Sequence, residues 1–74
     1  MYYVQREESE ILGSGSDIRD VLSTNSLEDA VNALKIGRGN RLVKYKRIDG
    51  RLRTFIYDYT EKAFIGPNGE VEEL

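Results

Sequence analysis

A chain of 74 residues with 39% apolar and 32% charged side chains has the composition of a folded globular protein, with too much apolar content for a wholly disordered one. It contains no cysteine and no histidine and carries a formal net charge of −2, which excludes a disulfide-held minidomain, an N/S zinc site and thiol or imidazole catalysis. No apolar run reaches the roughly 20 residues of a membrane helix, and the start MYYVQREESE lacks the basic flank and apolar stretch of a signal peptide, so the expectation is one small cytoplasmic domain over residues 1–74.

In chain order, Tyr2, Tyr3 and Val4 form a short β-prone start that the polar run QREESE interrupts, predicting a short edge strand. The stretch GSGSD at residues 13–17 reads as a flexible joint, after which Ser16 is placed to cap a brief helical turn that directs Ile18, Val21 and Leu22 inward. In NSLEDAVNALKIG, Ser26 followed by Asp29 resembles a capping box with Asp in place of Glu or Gln. Leu27, Ala30, Val31 and Leu34 then share one helical face. Acidic residues lie in the first turn, Lys35 in the last, and Gly37 just past the end, so a helix is predicted over about residues 26–36.

Strand signals follow. Asp49-Gly50 marks a two-residue hairpin joining strands over about 41–48 and 51–59. A short strand, AFIG, follows a turn near Thr60 and Glu61, and Pro67, Asn68 and Gly69 form another turn before VEEL. The expected fold is therefore α+β, with a short N-terminal strand, one main helix packed on the strands of residues 41–74, and a three- to four-stranded antiparallel sheet in a β-α-β-β-β order.

The small net charge conceals three blocks. Residues 1–34 carry a net −5, residues 35–53 a net +7 and residues 54–74 a net −4. Such asymmetry bears on partners rather than on fold. A two-residue loop at Asp49-Gly50 pairs Ile48 with Arg51, Lys46 with Arg53, Lys44 with Phe55 and Leu42 with Tyr57. One face of the hairpin then carries Lys44, Lys46, Arg51 and Arg53 beside Phe55 and Tyr57. The other carries Val43, Tyr45, Leu52 and Ile56, which are assigned to the core beneath the helix.

Two readings of the cationic face compete. As an anion-binding platform, its aromatic rings stack bases while its cations neutralise phosphate or carboxylate. As a solvated sheet face, its Lys and Arg side chains protect strand edges and the rings tuck under the C-terminal strand. The segment lacks an RNA-recognition consensus, paired helices of the helix-turn-helix type and zinc ligands.

Other candidates are weaker. The glycines of GRGN at residues 37–40 follow a helix end, whereas a phosphate loop needs them before a helix start. Glu7, Glu8 and Glu10 have no partners completing a metal-ligand set, so no metal and no cofactor are expected. Ser and Thr have no base to activate them, and no small-molecule substrate is expected in so small a chain.

The expected function is thus a non-enzymatic binding module that presents Lys44, Lys46, Arg51, Arg53, Phe55 and Tyr57 to nucleic acid or another anionic partner. The alternative is a protein-interaction or inhibitor module that docks on a larger partner through an acidic or basic surface, or forms a homodimer through a strand edge. In its short, cysteine-free and charge-segregated layout the chain resembles small phage- or mobile-element-encoded inhibitors, anti-CRISPR proteins among them. That resemblance is one of layout, and no residue carries over from it.

Overall fold

The computed structural model describes residues 1–9 and 16–73. Its elements are β1 (Tyr2–Ser9), β2 (Ser16–Thr24), α1 (Leu27–Lys35), β3 (Arg41–Ile48), β4 (Arg51–Asp58), β5 (Ala63–Ile65) and β6 (Val71–Glu73). One helix and six strands make a mixed α+β chain with more strand than the sequence reading expects, in the order β-β-α-β-β-β-β. The helix is too short to cross a membrane. The chain divides into two compact units, Met1–Leu42 and Val43–Leu74.

In the first unit, β1 and β2 pair antiparallel from Tyr2 opposite Thr24 to Ser9 opposite Ser16. A bulge interrupts the ladder, because Val4 faces Leu22 while Gln5 faces Asp20. Two expectations change here. The strand starting at Tyr2 continues through the polar run to Ser9, and the segment expected to form a helical turn after Ser16 is the strand β2. The physical cause is the same for both. Asp17, Asp20 and the β-branched Ile18 and Val21 are poor helix formers. The backbone groups of QREE and of DIRD then satisfy each other across the ladder, a pairing that an apolar pattern cannot reveal. Gln5, buried, donates from Nε2 to Asp20 Oδ1 at 2.9 Å. The flexible joint lies mostly outside the described residues.

The helix follows its sequence signals closely. Ser26 Oγ accepts from the Asp29 backbone N–H at 3.2 Å, which is the expected cap. The return half of the capping box is replaced, since the Ser26 N–H donates to Thr24 Oγ1 at 3.0 Å. At the other end, Gly37 N–H donates to Leu34 O at 3.2 Å and Arg38 N–H to Ala33 O at 3.1 Å. These are the two bonds of a Schellman motif, and Gly37 takes the required positive φ of 81°. The helix packs on β1 and β2, where the sequence reading expects the strands of residues 41–74. Its buried residues are Ala30 and Ala33, small enough to bring the helix backbone close, with Leu27, Val31 and Leu34 half-buried at the flanks. Among the described residues of this unit, Val4, Ala30, Ala33 and Leu42 are the buried apolar ones.

After the helix, Asn40 ties the returning chain to β1. Its backbone N–H donates to Gln5 O at 2.9 Å, its Nδ2 donates to Glu7 O at 2.8 Å and its Oδ1 accepts from Glu7 N–H at 2.9 Å. The side-chain amide thus supplies the donor and acceptor that a further ladder residue would offer.

The second unit is an antiparallel meander in which β3 pairs β4, β4 pairs β5 and β5 pairs β6. The hairpin has the expected type I′ geometry, with φ of 52° at Asp49 and 76° at Gly50. Its register is the expected one from Ile48 opposite Arg51 to Val43 opposite Ile56. Asp58 Oδ1 accepts from the Thr60 and Glu61 N–H groups at 2.9 and 3.1 Å, an Asx turn that feeds β5. The PNG turn closes with Gly66 N–H on Glu70 O at 2.7 Å.

The core of this unit corrects the expected one. Val43 is buried, but Tyr45, Leu52 and Ile56 are exposed by 43%, 62% and 41%. The buried side chains on β4 and β5 are Phe55, Ala63 and Phe64. Register explains the exchange: Tyr57 faces Phe64 and Phe64 faces Glu72, so β5 and β6 add an aromatic ring and a carboxylate to the face of Phe55 and Tyr57. That face acquires partners from its own meander.

Candidate anion-binding face and the face behind it

The six residues singled out in the sequence all lie on one face, since Lys44 opposes Phe55, Lys46 opposes Arg53 and Ile48 opposes Arg51, and period-two alternation adds Tyr57. The sheet brings them together as expected and adds Phe64 and Glu72 to the same face.

Glu72 is the organising group. Lys44 Nζ donates to its Oε1, and Lys46 Nζ donates to its Oε2 at 3.1 Å. One carboxylate therefore spans two cations. The hydrogen bonds from Lys44 first and Lys46 second hold the Glu72 carboxyl below the usual carboxylate range, against a smaller opposing effect of burial. The lysine heads also lie over rings, with Lys44 Nζ 4.8 Å from the Phe64 centroid and Lys46 Nζ 5.8 Å from the Phe55 centroid.

The aromatic residues are packed rather than presented. Phe55 is 2% exposed, and it lies under the Gly66 backbone: a Cβ at Gly66 would stand 3.0 Å from Phe55 Cε2 and Cζ. Tyr57 is half-buried, edge-on to Phe64 at 5.4 Å and to Tyr59 at 6.2 Å. Arg51, exposed, and Arg53, half-buried, are the two cations of the set with no carboxylate partner among the described residues.

The opposite face has the reverse character. The rows Arg47–Leu52, Tyr45–Thr54, Val43–Ile56–Ile65–Val71 and Asp58–Ala63–Glu73 follow from the pairings. Val71, 61% exposed, joins Tyr45, Leu52 and Ile56 among the exposed large apolar residues. The result is an apolar field with charged residues at both ends.

The N-terminal carboxylates do not converge. Glu8 pairs with Arg6 at 2.9 Å and Glu7 with Arg41 at 3.4 Å, and Glu10 lies outside the described residues. Among the described residues no group of three or more Asp, Glu, His or Cys side chains could hold a metal ion.

Sequence reasoning missed Glu72 and Phe64 as members of the cationic face. Their signal was alternation carried through two turns, and it becomes readable only once the turns at 59–62 and 66–70 have fixed the registers of β5 and β6. Comparison with protein-family models, curated proteins and solved structures gives no match.

Proposed function

We propose that this chain is a binding module for protein, and that it engages its partner through the face of Tyr45, Leu52, Ile56 and Val71. The observation that carries the reading is the exposure of these four large apolar side chains on one face of a paired sheet. Scattered apolar side chains on a surface need no explanation, but contiguous ones rimmed by charge mark interaction sites. The cationic face supports partner binding less well, because Glu72 already occupies Lys44 and Lys46 and Phe55 has no ring face free for stacking.

The test is site-specific photo-crosslinking in the native cell, with benzoylphenylalanine replacing Leu52 on one face or Arg51 on the other. Protein adducts from position 52, and none from position 51, are expected. Nucleic-acid adducts from position 51 with nothing from position 52 would overturn the reading and favour the cationic face, through Arg51 and Arg53. In that event two phosphate contacts give a log–log salt slope of about −2 on duplex DNA.

A further inference from the structure

The first unit leaves charge unmatched along one strand edge. β2 pairs with β1 alone, and among the described residues no backbone bond from a turn or loop reaches its outer edge. On one face of this ladder Arg6 lies opposite Arg19 and Glu8 opposite Asp17. Both rows set like charges side by side, an arrangement that costs stability. β1 resolves its own half, since Arg6 Nε donates to Glu8 Oε1 at 2.9 Å. Arg19 and Asp17, both exposed on the outer strand, have no ion pair among the described residues. Between them, on the other face, stands Ile18, 47% exposed. The inner side of each row is filled by a like charge, so the opposite charge has to come from beyond the edge of β2.

We propose that a second copy of the chain supplies it, by pairing its β2 antiparallel to this one about a two-fold axis that passes through Ile18 normal to the sheet. The trio Asp17-Ile18-Arg19 is self-complementary in that register. Asp17 of each copy lies opposite Arg19 of the other, Ile18 opposite Ile18, and Ser16 opposite Asp20. Each row then reads Glu8, Asp17, Arg19, Arg6 across the two copies, two anions followed by two cations. The pleat fixes the choice of register. Directly opposed residues share a face, so the axis must pass through a residue. Placed one residue earlier it sets Asp17 against Asp17, and one residue later it sets Arg19 against Arg19. Charges of one sign on an edge strand keep strands apart, whereas opposite signs two residues apart accept an inverted copy of themselves. Leu22, which lines the groove between β2 and α1, lies beyond the five paired residues. The site belongs to the first unit, so it goes beyond the protein-binding reading of the Tyr45 face and does not depend on it.

A five-residue ladder makes a small interface, so sedimentation equilibrium of the purified full chain runs from roughly 10 µM to 1 mM, the range of weak assemblies. A monomer–dimer equilibrium is expected. Asp17→Arg leaves two cations at the axis and Arg19→Asp two anions. Each alone should raise the homodimer dissociation constant at least about tenfold, because like charges then meet across the axis. Mixed in equal amounts, the two variants should associate about as tightly as the wild type, since two cations of one chain face two anions of the other. Both positions are exposed, and circular dichroism checks that each variant is folded. Disulfide trapping reads the register. The chain has no cysteine, and the Ile18 Cα atoms of the two copies should lie about 4.5–5.5 Å apart across the axis, within disulfide reach. Ile18→Cys should therefore oxidise readily to a linked dimer, and Ser23→Cys, displaced along the ladder, should not. A wild-type chain that stays monomeric throughout that range would overturn the inference. So would a dimer unmoved by the single reversals, a mixture that does not recover association, or trapping no faster at position 18 than at position 23.

Discussion

The two faces of the β3–β4 hairpin reverse what their compositions suggest. The face with four cations is the closed one: Lys44 and Lys46 converge on Glu72, and their heads lie over Phe64 and Phe55, both buried. The face with Tyr45, Leu52 and Ile56 is the open one. The difference teaches that a strand residue's burial is decided by what its neighbours in the sheet contribute to the same face, more than by its own polarity. Long cationic side chains can roof an aromatic core while keeping their heads partly wet.

The largest expected effect separates the two faces by stability. Phe64→Ala or Phe55→Ala should cost about 3–5 kcal/mol, as for large buried aromatic residues, and bring so small a protein close to unfolding. Leu52→Ala and Ile56→Ala, on the open face, should each cost about 1 kcal/mol or less. Chemical denaturation of the four variants measures this, and equal costs on both faces would erase the contrast.

Next in size is Gly66→Ala. Its Cβ would meet the Phe55 ring at 3.0 Å and Glu70 Cδ at 3.1 Å, so either the ring or the turn must shift. Overpacking of this kind costs about 1–3 kcal/mol. A thermal melt indistinguishable from wild type would mean that Phe55 is not held beneath the turn.

The smallest effect concerns the Lys44–Glu72–Lys46 clasp. A double-mutant cycle with Lys44→Met and Glu72→Gln should return a coupling of about 0.5 kcal/mol, the scale of partly exposed ion pairs. Its pH dependence has a definite sign. Because the Glu72 pKa is lowered in the folded chain, the clasp contributes its full stability above the ordinary carboxylate pKa of 4.5 and loses it as pH falls from there through the depressed folded value. Glu72→Gln should remove that component of the acid transition. An acid limb of identical shape in wild type and variant would show that Glu72 is not clasped.

Much of the local structure was legible in the sequence. Ser26, Gly37 and Asp49-Gly50 act through bonds and dihedral angles within a few residues, so the helix ends, the hairpin turn and the β3–β4 register follow from them. β2 was not legible as a strand, because its pairing with the polar run of β1 depends on a partner about 15 residues away and leaves no apolar periodicity. The six residues of the candidate site could be placed on one face, because the hairpin alone decides that. Their availability could not be read. It depends on Glu72 and Phe64, which arrive through two turns of unlike length.

The contrast between the faces is tested most directly by the access of a neutral paramagnetic cosolute, read by NMR on dilute protein. Strong relaxation enhancement is predicted at the Leu52, Ile56 and Val71 methyl groups and weak enhancement at the Phe55 and Phe64 ring protons. Strong enhancement at the two phenylalanine rings, with protected Leu52 and Ile56 methyl groups, would contradict the account.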